Sequence, residues 1–100
     1  MSFQALARLH ELEEGFRRVV RLGSRDYLLL HSGGETYLVD RLCPHAASPL
    51  ERGALDDQFL TCPRHGLCFD LRTGRARQGG NAVLGRYSLA YEGRNIGVDL

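Results

Sequence analysis

Two short segments of this chain carry the side chains best suited to binding a metal. One is Cys43-Pro44-His45 and the other is Cys62-Pro63-Arg64-His65, so each offers a thiolate and an imidazole in the same order. Thiolates are soft ligands, and imidazoles suit several transition metals, including zinc and iron. A proline follows each cysteine, which stiffens the backbone and removes an N–H donor that would need a partner. The candidate metal ligands are therefore Cys43, His45, Cys62 and His65.

Two cysteines and two histidines in this order have two sensible uses. A single zinc ion takes all four as a tetrahedral set. Alternatively, a [2Fe–2S] cluster takes both cysteines on one iron and both histidines on the other. The repeated order of cysteine then histidine favours the cluster, because two parallel loops would present their cysteines on the same side. Zinc modules more often pair like ligands, but this difference does not decide between the two.

The segments that must position these candidate ligands have the sequence pattern of short β-strands separated by glycine-containing turns. The predicted strands are 3–9, 16–22, 27–31, 36–42, 58–61, 86–91 and 96–100. Alternation places Val20 and Leu22 on an inward face, and it places Tyr87, Leu89 and Tyr91 on one face of their strand. Many short strands with tight turns indicate an all-β fold, a small sandwich or barrel.

Length and charge exclude several classes of protein. One hundred residues are enough for a single domain, 1–100, with one modest core. A formal net charge of +1 at pH 7 argues against a nucleic-acid or anionic-membrane binder. The longest uninterrupted apolar run, 27–30, is too short to span a membrane, and we expect no targeting segment. Three cysteines argue against a disulfide framework. A monomer in the reducing cytoplasm is expected.

Residues 43–55 and 61–74 resemble the signature of Rieske ferredoxins. Beyond the four ligands, the positions that match this signature are Pro44, Pro49, Leu50, Gly53, Pro63, Gly66, Phe69, Asp70 and Gly74. The resemblance implies an antiparallel β-sandwich or barrel in which two loops at one tip hold one [2Fe–2S] cluster. It also implies that Cys43 and Cys62 bind one iron while His45 and His65 bind the other.

The resemblance further implies the function of a one-electron carrier. Such a protein passes electrons from an NAD(P)H-dependent ferredoxin reductase to a terminal oxygenase, and both are transient partners. It is an electron-transfer component and has no substrate chemistry of its own. Two alternatives remain open at this point: the small Rieske-like subunit of a larger oxidoreductase such as nitrite reductase, and a structural zinc-binding domain.

Departures from the high-potential Rieske proteins predict a low reduction potential. The extra disulfide of those proteins would fall at Ser48 and Arg64, so it is absent. Their hydroxyl donors near the cluster would fall at Leu67 and Phe69, which cannot donate. Without such hydrogen bonds the reduced state is less stabilised. We therefore expect a potential toward the low end of the roughly −150 to +300 mV range.

Arg64 lies between two candidate ligands and is predicted to place a positive charge at the exposed edge of the site. A charge there would steer an acidic partner. The residues expected to complete a small docking face around it are Arg41, Leu42, Ala46, Pro63 and Leu67. Six further residues of chemical interest are interpreted as structural or simply solvated: Cys68, His10, His31, Arg72, Arg75 and Arg77.

Overall fold

The alternating segments form short strands in the computed structural model, which describes residues 2–44, 47–64, 66–77 and 81–99. The strands are β1 Phe3–Arg8, β2 Arg17–Leu22, β3 Arg25–Ser32, β4 Glu35–Asp40, β5 Ala54–Asp56, β6 Phe59–Thr61, β7 Cys68–Asp70, β8 Arg86–Tyr87, β9 Ala90–Glu92 and β10 Asn95–Asp99. Two short 3₁₀ turns, Leu9–Glu11 and Leu50–Arg52, lie between strands. In the described part of the chain, no helix is long and apolar enough to cross a membrane.

These strands form three antiparallel sheets, as the all-β prediction requires. The first sheet has the order β1-β10-β9, the second β2-β3-β4-β8, and the third β5-β6-β7. Strands β2, β3 and β4 follow one another as hairpins with two-residue turns, because Leu22 pairs with Arg25 and Ser32 pairs with Glu35. Strand β10 pairs with β1, so the two ends of the chain lie in one sheet.

The four-stranded sheet is buried on both faces. Leu28 and Leu30 of β3 belong to a larger core cluster that includes residues of β6 and β7, whereas Leu29 belongs to a smaller cluster with residues of β1 and β10. The larger cluster contains Leu28, Leu30, Tyr37, Val39, Cys43, Leu50, Leu60, Cys62, Phe69, Leu71 and Leu84. The four-stranded sheet therefore lies between the other two sheets. This explains the apolar run 27–30, since a strand covered on both faces has no polar alternation.

The predicted strand 86–91 is two strands in the structure. Strand β8 pairs with β4 in the central sheet, and β9 pairs with β10 in the first sheet. The chain passes from one sheet to the other between them, so the alternation does not continue. The common face predicted for the three residues is wrong: Leu89 packs against the smaller core, while Tyr87 and Tyr91 are 38% and 65% exposed.

The remaining predicted strands are present with small differences at their ends. Strand β1 stops at Arg8, and β4 stops at Asp40, where the first cysteine loop begins. Val20 is buried, and Leu22 packs against the smaller core, which confirms the inward face of β2. Strands β5 and β7 are missing from the predicted set because three residues are too few to show a period.

Candidate metal centre

The structure buries both candidate cysteines in the same core. Cys43 lies in the loop that joins β4 to β5, and Cys62 follows directly after β6. Their exposed fractions are only 2% and 1%, and both belong to the larger hydrophobic cluster. The two candidate sulfur ligands are therefore shielded from water on different loops. His45 and His65 lie outside the described residues.

The two cysteine loops are closed by the same pair of backbone hydrogen bonds. In the first loop, the N–H of Cys43 donates to the carbonyl of Ser48 at 2.9 Å, and the N–H of Ala47 donates to the carbonyl of Cys43 at 2.7 Å. In the second, the N–H of Cys62 donates to the carbonyl of Leu67 at 2.8 Å. The N–H of Gly66 donates back to the carbonyl of Cys62 at 3.1 Å. The repeated order in the sequence thus corresponds to a repeated backbone structure.

The loops differ in how they are connected to the sheets. The second loop closes a hairpin, because Thr61 and Cys68 on either side of it pair in adjacent strands of one sheet. The first loop joins β4 of the central sheet to β5 of the third sheet, so no hairpin register determines its path. An antiparallel β-bridge between Leu42 and Pro49 pairs the two arms of this loop. The side chain of Leu50, which is completely buried, anchors the loop in the core.

Arg41 is an anchor of the first loop, and its predicted place on the docking face stays a prediction. Its guanidinium donates to the Glu51 carboxylate at 2.8–3.2 Å and to Asp26 Oδ2 at 3.2 Å. The hydrogen bond from Arg41 holds the pKa of Glu51 below its usual range, and Glu51 raises the pKa of Arg41. The guanidinium of Arg41 is therefore hydrogen-bonded to carboxylates of the same chain.

Sequence reasoning missed the other charged groups that hold this loop. Arg17 of β2 donates from Nη1 to the carbonyls of Glu51 and Gly53, at 2.9 and 2.7 Å. These partners are 34 and 36 residues from Arg17 in the sequence. No local pattern signals such a contact, because an arginine that binds a distant carbonyl and one that faces water look alike in sequence.

An exposed rim surrounds the two buried cysteines. Leu42 is 47% exposed although it is a large apolar residue, and Arg64 is exposed as predicted. The other exposed rim residues are Pro44, Ala47, Pro63 and Gly66. Leu67 is partly buried against the larger core, and Ala46 lies outside the described residues. As far as the structure describes these loops, the rim presents a small, mainly apolar surface with one guanidinium, that of Arg64.

The residues interpreted as structural or solvated lie away from this rim or have other contacts. Cys68 is partly buried in β7, opposite Thr61. His10 is exposed on the first 3₁₀ turn, and His31 Nδ1 lies 2.7 Å from Thr36 Oγ1. The three arginines of the 72–77 segment are exposed, and one of them, at position 77, stacks on the Phe59 ring at 4.3 Å from its centre. These placements agree with the structural interpretation.

Comparison with known proteins identifies related sequences over most of the chain. Residues 2–85 match the family model described as Rieske [2Fe-2S] domain. The ferredoxin component of the naphthalene 1,2-dioxygenase system of Pseudomonas aeruginosa is 32% identical over 93 residues, which covers 92% of this chain and 89% of that protein. Human Apoptosis-inducing factor 3 is 39% identical over 70 residues, or 70% of this chain, but the chain spans only 12% of its length.

Solved structures with the same fold include two ferredoxins at 23% sequence identity. The Sphingomonas yanoikuyae B1 ferredoxin superposes with a TM-score of 0.87 and covers 99% of both chains. A chain from a complex of reduced oxygenase and oxidized ferredoxin in carbazole 1,9a-dioxygenase superposes with a TM-score of 0.83, over 93% of this chain and 97% of that one. The arrangement of the three sheets is thus that of known ferredoxins.

Proposed function

This chain belongs to the Rieske [2Fe–2S] domain family, and we propose that it carries single electrons from an NAD(P)H-dependent ferredoxin reductase to a terminal oxygenase. The relative of nearly equal length is the ferredoxin component of a naphthalene 1,2-dioxygenase system. A protein of the same fold is known in a complex with an oxygenase. The observation that carries the proposal is the pair of buried cysteines, Cys43 and Cys62, on two loops with the same closing hydrogen bonds.

We propose that Cys43 and Cys62 bind one iron of the cluster and that His45 and His65 bind the other. The donor set fits this cofactor, since two thiolates and two imidazoles are the ligands of a Rieske centre. The burial of both thiols in one apolar cluster supports the assignment, because it keeps water from the sulfur side of the site. A [2Fe–2S] cluster bound there supplies a centre that gains and loses one electron.

Some residues around the cysteines exclude solvent from them, and others are exposed and available to a protein partner. Leu50, Leu60 and Phe69 are completely buried beside them and exclude solvent. The exposed rim with Leu42 and Arg64 offers a contact surface to a partner. Weak redox complexes use small interfaces, so no large apolar patch is required. Because the net charge of the chain is only +1, electrostatic steering depends on local groups such as Arg64.

We also propose that residues 1–100 act as a single domain, as a monomer in the cytoplasm. The pairing of β1 with β10 supports the single domain, since both ends of the chain complete the same sheet. The family model covers residues 2–85, so β9 and β10, which form the first sheet with β1, lie beyond it. Sedimentation equilibrium of the purified protein tests the monomer, and a stable dimer would contradict it.

The ligand assignment is tested by iron and acid-labile sulfide analysis, together with EPR of the dithionite-reduced protein. We expect a red-brown protein with about two iron and two sulfide per chain. Cys43→Ser should lose the cluster, and Cys68→Ser, the matched control, should retain it. A colourless wild-type protein that contains zinc would overturn the assignment.

The carrier role requires a separate experiment. The purified protein, a ferredoxin reductase from a naphthalene dioxygenase-type system and NADH are mixed, and bleaching of the visible absorbance is followed. Rapid reduction, followed by reoxidation on addition of the terminal oxygenase, is expected. Stable copurification with a large reductase subunit would instead favour the alternative of a nitrite reductase small subunit.

A further inference from the structure

The position of Cys43 relative to Cys62 depends on how the first loop is held. The second loop is part of the β6–β7 hairpin, so the sheet itself determines where Cys62 lies. The first loop spans residues 41–53 and connects strands of different sheets. The Leu42–Pro49 bridge and the Cys43–Ser48 hydrogen bond shape the loop internally, but no ladder between strands of one sheet sets its position relative to the second loop. Contacts with other strands must therefore set where Cys43 lies relative to Cys62.

Those contacts converge on Arg41 and Glu51, at the two ends of the first loop. The Arg41 backbone carbonyl accepts the Leu50 N–H at 2.8 Å, while the Arg41 side chain binds the Glu51 carboxylate with both Nε and Nη2. The loop is thus closed twice by the same residue, once through its main chain and once through its side chain. Planar, forked contacts between arginine and carboxylate are directional as well as strong.

Two strands of the central sheet hold this closed loop in place. Asp26 of β3 accepts a hydrogen bond from Arg41 Nη1 at 3.2 Å, and Arg17 of β2 donates to the carbonyls of Glu51 and Gly53. Both contacts join the loop to strands other than β4 and β5, the two that it connects. We call the four side chains Arg17, Asp26, Arg41 and Glu51 the Arg41 clamp.

We propose that the Arg41 clamp is a positioning device that sets the placement of Cys43 against Cys62. This inference rests on the proposed function, because the placement matters for a cluster that both cysteines hold. None of the clamp residues is a candidate ligand. Loss of the clamp should loosen the first loop, leave the second loop unchanged, speed the loss of the cluster and alter its reduction potential.

The test compares Glu51→Gln with Glu11→Gln in the purified holoprotein. Glu11 is a matched control, because it pairs with Arg18 at 2.7 Å and Arg18 also donates to a backbone carbonyl, that of Leu6. Hydrogen exchange is measured by mass spectrometry on peptides covering 41–53 and 59–70. We expect Glu51→Gln to speed exchange in the first peptide about tenfold and to leave the second unchanged. Glu11→Gln should change neither peptide.

The same samples give the readouts of the metal centre. In Glu51→Gln we expect cluster loss, followed by visible absorbance under a chelator, to be about tenfold faster, with a shifted potential and broadened EPR lines. Arg41→Lys keeps the charge but removes the forked contact, so it should give smaller changes in the same direction. Should Glu51→Gln fail to fold, Arg41→Lys takes its place.

Three results would overturn the proposal: unchanged exchange in 41–53, altered exchange with unchanged cluster loss and EPR lines, or equal effects in Glu11→Gln. Failure of the proposed function would be recognised from a different measurement, the cluster content of the wild-type protein. If the wild-type protein binds no cluster, the function is wrong, whereas the exchange of 41–53 against 59–70 still decides whether the clamp holds the first loop.

Discussion

Ala47 and Gly66 occupy equivalent positions in the two cysteine loops, four residues after Cys43 and Cys62, and both have a positive φ, 51° and 69°. Each donates its N–H to the carbonyl of its own cysteine. The loops therefore repeat one backbone structure, although their histidines stand two and three residues after the cysteine. Glycine adopts this left-handed conformation without strain, whereas alanine does so at a cost.

This equivalence predicts opposite effects of two substitutions on stability. Ala47→Gly should raise the free energy of unfolding by about 0.5–1 kcal/mol, because it relieves the left-handed strain. Gly66→Ala should lower it by about 1 kcal/mol, and this cost is conformational, since no atom of the described residues beyond its chain neighbours lies within 4 Å of the added Cβ. Urea denaturation followed by circular dichroism measures both. Shifts of the same sign would contradict the equivalence.

Acid should remove a stabilising contribution from Glu11. Hydrogen bonds from the Arg18 side chain and the Arg8 N–H lower the pKa of Glu11 from 4.5 to about 2. A folded-state pKa below the unfolded one stabilises the protein fully above pH 4.5, and the contribution is lost as the pH falls toward 2. The difference in unfolding free energy between wild type and Glu11→Gln should therefore shrink between pH 5 and pH 2. A difference that stays constant over this range would refute the assigned pKa shift.

Arg64 is predicted to steer a partner to the exposed rim. Arg64→Glu should slow reduction by the reductase about tenfold at low salt, and the difference should shrink as ionic strength rises. Arg94→Glu is the matched control, because Arg94 is exposed on the turn between β9 and β10 and the change in net charge is the same. Stopped-flow absorbance measures the rates. Unchanged kinetics in Arg64→Glu would remove this residue from the docking surface.

The absence of a hydroxyl donor at Leu67 is predicted to lower the reduction potential. Leu67 is partly buried against the larger core, beside Cys62, whose N–H donates to its carbonyl. Leu67→Ser should raise the potential by about 20–60 mV, the one-electron equivalent of a net hydrogen bond of about 0.5–1.5 kcal/mol. Protein-film voltammetry measures the shift, and Leu67→Ala separates the hydroxyl from the lost packing. An equal rise in both variants would contradict the hydrogen-bond explanation.

Much of the candidate site could be predicted because its signals are local. The spacing of Cys43 and Cys62 to their histidines, with a proline after each cysteine, pointed to a metal centre without knowledge of the fold. The alternation of β2 likewise predicted that Val20 faces a core, which the structure confirms. By contrast, the strand predicted over 86–91 divides between two sheets. Six residues of alternating apolar and polar side chains look the same whether they form one strand or two strands in different sheets, so the sequence does not reveal the change.

The sequence by itself determined the candidate ligand types, their order, the all-β class and the near-neutral charge, since each depends on residue identity or on neighbours within a few positions. The tertiary structure alone decided that Arg41 anchors the first loop while Arg64 stays exposed. It also decided that one sheet separates two cores. The physical reason is that the partners of a side chain depend on which distant segments the fold brings next to it. An arginine has the same charge and the same hydrogen-bond donors whether it binds Glu51 or faces water, so its residue type does not reveal its partner.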